Sequence, residues 1–220
     1  SVRLAVSAGS GRAPDFRTAS HPLVTVTVDP LAAPFGGERP PLRLAIASVR
    51  VDERRPWRGA KVAQYLPYLL ARAEATAAPS AATDPLTLSL SKGDDALLLN
   101  YAGHIVEAAT ANAFLVVAGA LVTPSLESGP IPGVTRAAVI EVARGLDVTV
   151  AEREVAPADL EQASAVFLTS SVAGIVEVTS ITGAPPAAPS TLEWRRGEGD
   201  PLVARIRQAY LALIERECGA

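Results

Sequence analysis

The chain has 220 residues, of which 49% are hydrophobic, and a formal net charge of −3 at pH 7. Such values are typical of one or two soluble globular domains with a substantial apolar core. The longest cationic runs, Arg54-Arg55 and Arg195-Arg196, have no interleaved aromatic residues, so we expect no nucleic-acid partner.

Rare residue types exclude further classes of function. His21 and His104 lie far apart, and no second ligand stands at metal spacing, so no metal site is predicted. Cys218 is the only cysteine, which excludes an intramolecular disulfide and favours a reducing compartment. Charged residues, prolines or glycines interrupt the longest apolar runs, and the N-terminus has no signal-peptide pattern. We therefore expect a cytoplasmic protein without a membrane partner.

The first fifty residues predict short strands. The β-branched or alternating segments at residues 2–7, 23–29 and 42–50 are separated by the Gly/Pro-rich pieces GSGRAP and PFGGERPP. The first strand begins almost at residue 1. This indicates that something upstream has been lost, with a short natural N-terminus as the alternative.

A helix is predicted after Lys61. Five residues recur at helical spacing and form its expected apolar face: Tyr65, Leu66, Leu69, Leu70 and Ala73. Lys61 then lies in or before the first turn of that helix. Residues 76–94 are rich in Ala, Ser, Pro and Thr, so a loop or a partly ordered insertion is predicted there.

Strands and helices share the rest of the chain. Strands are predicted at residues 95–100, 114–117, 120–123, 148–154, 165–169 and 175–179. Helices are predicted at residues 135–146, 158–162 and 201–217. This order indicates an α/β or mixed α+β fold, and the pattern alone does not define the topology.

Lys61 is one of only two lysines in a chain with eighteen arginines. Arginine would serve equally well at a position that needs only positive charge. An amine can lose its proton, whereas a guanidinium cannot, so the retained lysine indicates proton-transfer or imine chemistry. The alternative is an ordinary solvated lysine ahead of a helix, and the neighbouring motifs decide between the two.

Two hydroxyl-bearing segments are candidates for binding an anion. Gly133, Val134 and Thr135 open a predicted helix, where free backbone N–H groups and a hydroxyl favour phosphate. The alternative is a plain N-cap made by Thr135. The second segment, Thr-Ser-Ser at residues 169–171, ends a predicted strand and would otherwise be a polar strand end.

Glu107 follows two apolar residues and precedes four small ones, which indicates a buried carboxylate. A buried carboxylate needs a cationic or hydrogen-bonding partner, and a salt bridge to one of the arginines is the alternative to a functional role. Together, a lysine, a carboxylate, a phosphate site and a second hydroxyl cluster are the parts needed to hold pyridoxal 5′-phosphate.

Four motifs in order resemble the fold-type IV pyridoxal-phosphate enzymes: KxxxYL, DALLLNxxGxxxExxxxNxFLV, LVTPxLxSGPIPGVTR and VFLTSSVAGIVEV. The resemblance covers roughly residues 61–178, with a looser match near the N-terminus. It implies pyridoxal 5′-phosphate as cofactor, a small-molecule substrate and a homodimer. It also implies a remnant of a small N-terminal domain at residues 1–50, a linker at 51–60 and a large cofactor-binding domain at 61–220.

The resemblance implies roles for three residues around the ring of the cofactor. Lys61 would be the Schiff-base lysine and the catalytic base, and Glu107 the partner of the pyridine nitrogen. Tyr65 stands near the position that can hydrogen-bond the phenolic oxygen of the cofactor.

Further positions match the parts of the family motif that hold the phosphate and the substrate. Val134 and Thr135 would bind the phosphate through a backbone amide and a hydroxyl, and Ser170 and Ser171 belong to a second group around it. The backbone N–H groups of Val172 and Ala173 would face a substrate carboxylate.

The segment KVAQYLPYLLARAEA, with the early GSGR, looks more like the lyase and D-amino acid branch than like branched-chain aminotransferases, which usually place Gly-Gly-Asn-Tyr after the lysine. The expected function is aminodeoxychorismate lyase, which forms 4-aminobenzoate and pyruvate for folate biosynthesis. The alternative is an aminotransferase of the D-amino acid or branched-chain type. A truncated, inactive family member is a further alternative, because most of the small N-terminal domain is absent.

Overall fold

The computed structural model describes residues 1–10, 20–30, 39–62, 65–76, 93–185, 191–197 and 199–219. Contacts divide the chain into two units, Ser1–Gly37 and Glu38–Ala220.

The smaller unit contains an antiparallel pair of strands, β1 (Val2–Ser7) and β2 (Leu23–Val28). Their register places Val2 opposite Val28 and Val6 opposite Val24, so aliphatic side chains line one face of the pair. The two strands predicted in this region are confirmed.

The described residues of the larger unit form nine strands and three α-helices. The strands are β3 (Leu42–Val51), β4 (Asp95–Asn100), β5 (Ile105–Ala108), β6 (Asn112–Val117), β7 (Ala120–Pro124), β8 (Val150–Arg153), β9 (Ala163–Ser170), β10 (Gly174–Gly183) and β11 (Leu192–Arg195). The helices are α1 (Leu66–Thr76), α2 (Val134–Gly145) and α3 (Pro201–Cys218), with short 3-10 helices at Leu126–Ser128 and Pro157–Gln162.

The nine strands form one sheet that closes on itself. Its order is β11-β10-β3-β4-β5-β6-β7-β8, and β9 pairs with both β10 and β6. Six strands therefore form a ring, in which β3 runs parallel to β4 and β10. Alternate residues of β4 face different cores: Leu97 and Leu99 pack in one cluster, Ala96 and Leu98 in another. Burial on both faces explains why the four central residues of β4 are all apolar.

Helices α2 and α3 cover one side of this ring. Their core includes Phe114 of β6 and Phe167 of β9, whose rings stack with centroids 5.0 Å apart. Helix α3 begins after Asp200, whose carboxylate accepts a hydrogen bond from the Leu202 N–H at 2.9 Å. Its predicted extent, residues 201–217, is confirmed to within one residue.

Helix α1 packs with the face opposite to the one expected. Tyr68, Ala71 and Ala75 are buried against β3 and β4, whereas the leucines of the predicted apolar face, Leu66, Leu69 and Leu70, are more than half exposed. The sheet presents small side chains such as Ala45 and Ala47 here, so the helix approaches closely through its alanines and one tyrosine. The apolar spacing was therefore wrong about the buried face of α1.

Other predictions differ from the structure at particular segments. Strands β5 and β11 were not predicted, and β5 carries Glu107. Residues 77–92, most of the predicted loop, lie outside the described residues. The division into residues 1–50, 51–60 and 61–220 stays a prediction, although β3 pairs with strands of the larger unit. No helix in the described part of the chain is long and apolar enough to span a membrane.

We predict that Phe167→Ala lowers the free energy of unfolding by about 3 to 5 kcal/mol, because the stacked, fully buried ring would leave a cavity. Leu70→Ala on the exposed face of α1 should cost less than about 0.5 kcal/mol. Urea denaturation of both variants measures the difference. Equal losses would contradict the packing of α1 described above.

Candidate active site

A cavity of about 330 Å³ lies within the larger unit, beside the N-terminus of α2. Its lining includes all seven residues that the family resemblance assigns to the cofactor: Lys61, Tyr65, Glu107, Val134, Thr135, Ser170 and Ser171. They come from the segment before α1, from β5, from α2 and from the end of β9. The fold therefore brings together side chains that are up to 110 positions apart in the sequence.

Glu107 on β5 is the buried carboxylate of this cavity, with an exposed fraction of 3%. Its Oε1 accepts a hydrogen bond from the Tyr68 hydroxyl at 3.0 Å. Its Oε2 accepts from the Asn112 side-chain amide at 3.2 Å and from the Ile131 backbone N–H at 3.0 Å. The expectation of a buried carboxylate is confirmed, but neutral donors take the place of the salt bridge considered as an alternative.

Burial raises the pKa of Glu107 to about 7. The Ile131 N–H, the Tyr68 hydroxyl and the positive charges of Arg55 and Lys61 lower this pKa and so oppose the effect of burial. Near neutral pH the carboxyl group is therefore poised between its neutral and ionised forms. A cation brought into the cavity would favour the ionised form.

Lys61 lies before α1, at the mouth of the cavity, where the sequence predicted a lysine in or before the first turn. Its Nζ is 5.2 Å from the centre of the Tyr65 ring, a cation–π distance. Tyr65 is held in turn, because its hydroxyl donates to the Ala109 carbonyl at 2.6 Å and its ring stacks on Tyr68. The amine and the carboxylate of Glu107 thus line one cavity with an aromatic wall.

The N-terminus of α2 forms another part of the cavity wall. Gly133 is the N-cap of α2 and Thr135 its second residue, so the alternative of Thr135 as N-cap is wrong. A Cβ at Gly133 would lie 2.1 Å from Oδ1 of Asn112, so glycine is required for this close approach. As a glycine, the N-cap residue Gly133 makes no side-chain hydrogen bond to the helix, and the structure shows none from the described residues. Free N–H groups and the buried Thr135 therefore favour an anion here.

The end of β9 supplies the second hydroxyl group of the cavity. Ser170 and Ser171 line it, and the Ser170 Oγ accepts a hydrogen bond from the Ala173 N–H at 3.2 Å. Val172 and Ala173 follow in the turn to β10 and are not among the residues that line this cavity. The Val172 carbonyl accepts from the Arg39 guanidinium at 3.3 Å. Their predicted contact with a substrate carboxylate stays a prediction.

Tyr68 and Asn112 received no role from the sequence, and Thr169 was named only as part of the Thr-Ser-Ser segment. Tyr68 follows Tyr65 by one helical turn, and this i, i+3 spacing was the available signal. Asn112 belongs to the ExxxxN motif but received no role. The Thr169 Oγ1 is buried, lines the cavity and has no hydrogen-bond partner among the described residues. This hydroxyl is therefore available to a group bound in the cavity.

The class of protein follows from a match over most of the chain. Residues 1–181 match the model of the family described as amino-transferase class IV. The chain belongs to this family, and its mixed α/β structure has the fold of the fold-type IV pyridoxal-phosphate enzymes, as the motifs indicated. Pyridoxal 5′-phosphate is the cofactor of the family.

Two curated relatives are both named as branched-chain-amino-acid aminotransferases. The "Probable branched-chain-amino-acid aminotransferase" of Thermotoga maritima is 44% identical over 84 residues, which are 38% of this chain and 31% of the relative. The branched-chain-amino-acid aminotransferase of Escherichia coli is 32% identical over 123 residues, 56% of this chain and 37% of the relative. The matched segments thus span about a third of these relatives.

The fold is similar to that of a solved lyase. The crystal structure of 4-amino-4-deoxychorismate lyase from Pseudomonas aeruginosa matches with a TM-score of 0.72 and 26% identity. The match covers 98% of this chain and 70% of that chain.

The cavity fits pyridoxal 5′-phosphate on its own chemistry. Its volume lies in the range of about 300 to 1,000 Å³ that is usual for small-molecule sites. An uncapped helix N-terminus and the unpaired hydroxyl of Thr169 suit the phosphate group. The carboxylate of Glu107 suits a protonated ring nitrogen, and Lys61 supplies an amine.

The raised pKa of Glu107 predicts a pH dependence of stability in the cofactor-free chain. Because the folded pKa of about 7 exceeds the ordinary value of 4.5, the folded state keeps a proton that the unfolded state releases. Stability should therefore fall by roughly 3 kcal/mol as the pH rises from 4.5 to 7. Denaturation curves across this range should show that Glu107→Gln removes the fall, and that Glu217→Gln, at an exposed position in α3, leaves it intact. An unchanged profile in Glu107→Gln would refute the raised pKa.

Proposed function

We propose that this protein is a pyridoxal-phosphate-dependent 4-amino-4-deoxychorismate lyase, which forms 4-aminobenzoate and pyruvate. The observation that carries the proposal of a cofactor enzyme is the convergence of Lys61, Glu107 and the α2 N-terminus on one cavity. The lyase reaction is supported by the structural similarity to the Pseudomonas aeruginosa lyase over nearly the whole chain. It is also supported by the segment after Lys61, which looks more like the lyase branch.

An aminotransferase is the second candidate function. The curated relatives with 44% and 32% identity are named as branched-chain-amino-acid aminotransferases, and they favour this reaction. Both reactions begin with removal of a proton from the carbon that bears the amine. They differ in what happens to that carbon afterwards, so product analysis separates them.

The phosphate end of the cofactor would bind at the N-terminus of α2. The N–H of Val134 and the hydroxyl of Thr135 would donate to it, with Ser170 and Ser171 at the other side of the cavity. Gly133 lets the backbone approach Asn112 closely, so that the helix end and the carboxylate are held in one framework. Tyr65 would orient the ring from the Lys61 side.

When bound, pyridoxal phosphate supplies an electrophilic carbonyl carbon and an acceptor for the electrons of a broken bond. Glu107 would hold the proton on the ring nitrogen through an ionic hydrogen bond. Lys61 would take the proton from the substrate carbon that bears the amine and would act as general base. The backbone N–H of Val172 would orient a substrate carboxylate, and the Ala173 N–H would join it by exchanging its hydrogen bond to the Ser170 Oγ for one to the substrate. We further propose a cytoplasmic homodimer with a small-molecule substrate.

We expect Lys61→Ala to abolish the absorbance band of bound cofactor near the visible edge, because the amine that holds the cofactor is gone. Lys61→Arg should fail equally, since a guanidinium cannot form the bond. Lys92→Ala, the change at the other lysine of the chain, should keep the band. Absorbance spectra after incubation with pyridoxal phosphate provide the measurement. A band retained in Lys61→Ala and lost in Lys92→Ala would refute the assignment of Lys61.

Product analysis tests the lyase against the aminotransferase. With 4-amino-4-deoxychorismate alone, the lyase should release pyruvate and 4-aminobenzoate in equal amounts without any keto acid. An aminotransferase should instead show turnover only with a pair of amino donor and keto acid. Chromatography of both reaction types with the same preparation, and with Lys61→Ala as the inactive control, decides between them.

A further inference from the structure

Tyr68 connects the buried carboxylate to a guanidinium outside the cofactor cavity. Its hydroxyl donates to the Glu107 Oε1 at 3.0 Å and accepts from the Arg55 Nη2 at 3.3 Å. The ring is buried in α1 and is stacked on Tyr65, with centroids 5.0 Å apart. The three groups therefore form one hydrogen-bonded chain, Arg55 to Tyr68 to Glu107.

The direction of the two hydrogen bonds is determined by the chemistry of the groups. A guanidinium has only donors, so the Tyr68 oxygen accepts from Arg55. Burial and the nearby Glu107 raise the pKa of Tyr68 to about 12, so its hydroxyl keeps its proton and donates it to Glu107. A donor that itself accepts from a cation is polarised and binds a carboxylate more strongly.

Arg55 is held in place by a second contact. Its Nη2 also donates to the Gly129 carbonyl at 3.3 Å. Gly129 has a φ of 110°, and a Cβ there would lie 3.2 Å from the Val51 Cγ1 and 3.3 Å from the Glu53 Cα. Only glycine gives the backbone this conformation and this close approach, so the carbonyl that orients Arg55 depends on Gly129.

The position of Arg55 is not explained by stability alone. Its Nε is buried without a hydrogen-bond partner in the part of the chain that the structure describes. A buried unpaired N–H lowers stability, and a functional role is one of the explanations for such a group. The guanidinium lines a second cavity of about 220 Å³, which shares Tyr65, Tyr68 and Ile131 with the cofactor cavity.

We propose that Tyr68 and Arg55 are positioning residues that keep the Glu107 carboxylate ionised and directed at the ring nitrogen of the bound cofactor. This inference rests on the proposed function of the first cavity as a pyridoxal-phosphate site. Asn112 and the Ile131 N–H bind one oxygen of Glu107, Oε2. Tyr68 and Arg55 therefore act through the other oxygen, Oε1. The charged and titratable groups that act on Glu107 are Arg55, Lys61 and Tyr68.

Loss of the Tyr68 hydroxyl should make the carboxylate harder to ionise. In Tyr68→Phe the ring and its packing remain, but Glu107 loses one of its donors, so its titration midpoint should rise by about one pH unit. Tyr65→Phe is the matched control. It also removes one tyrosine hydroxyl, but that hydroxyl donates to the Ala109 carbonyl and not to Glu107. Its Glu107 midpoint should stay within about 0.3 pH units of the wild-type value.

The measurement is the ¹³C NMR titration of the Glu107 side-chain carboxyl in the full chain without cofactor, with Glu107→Gln to assign the signal. Equal midpoints in Tyr68→Phe and the wild type would overturn the proposal, as would equal shifts in Tyr68→Phe and Tyr65→Phe. A structural role alone would change the unfolding free energy of Tyr68→Phe and leave the midpoint in place.

Arg55 is tested in the same way. Arg55→Gln should raise the titration midpoint of Glu107. Arg55→Lys should raise it less, because it keeps the positive charge. Because Arg55 acts through Tyr68, its effect should shrink in the Tyr68→Phe background. An effect of equal size in both backgrounds would refute the hydrogen-bonded chain through Tyr68. Arg55 would then act on Glu107 only by direct electrostatic attraction.

A second readout separates this inference from the proposed function. Affinity for pyridoxal phosphate should decline at low pH, where Glu107 is protonated. In Tyr68→Phe this decline should begin at a higher pH, shifted by the same amount as the NMR midpoint. If the wild-type chain takes up no cofactor, the proposed function fails, and the NMR midpoints still decide whether Tyr68 and Arg55 control Glu107. If cofactor binds and its pH dependence is identical in the wild type and Tyr68→Phe, the positioning role is refuted while the cofactor site stands.

Discussion

The burial of one carboxylate is the constraint on which the site depends. Glu107 can lie inside the protein because three donors from three different segments meet it: the Tyr68 hydroxyl of α1, the Asn112 amide of β6 and the Ile131 N–H before α2. A carboxylate without these donors would stay neutral or would destabilise the fold. Its three hydrogen bonds therefore fix α1, β6 and the approach to α2 around one point, which is also the wall of the cavity.

The closed sheet explains how these segments come together. Because β9 pairs with both β6 and β10, the hydroxyl-bearing end of β9 is brought beside Asn112 and Glu107, with Asn112 directly opposite Thr169. Core packing on both faces of the strands makes this framework rigid. The polar groups at its rim are consequently held in place before any ligand arrives, which is the condition for strong binding and for electrostatic catalysis.

The electrostatics of the cavity suit a ligand that carries both signs of charge. Helix N–H groups and hydroxyls attract an anion at one part of the wall, and the carboxylate of Glu107 attracts a cation at another. Pyridoxal 5′-phosphate presents this combination, with a phosphate and a ring nitrogen that can be protonated. The same arrangement serves a lyase or an aminotransferase, so the parts of the site that contact the cofactor are shared and the substrate contacts distinguish the reactions.

Local sequence patterns predicted most of the strands and both later α-helices, and the motifs brought Lys61, Glu107, Thr135 and Ser171 into one hypothesis. These features depend on spacing along the chain, on helix-start signals and on the order of four motifs. The tertiary structure alone decided the rest: the buried face of α1, the closure of the sheet, and the roles open to Tyr68 and Arg55. The leucines of α1 show the reason. Hydrophobic spacing predicts that a helix has an apolar face, but which face is buried depends on the small side chains of β3 and β4, which are distant in sequence and close in space.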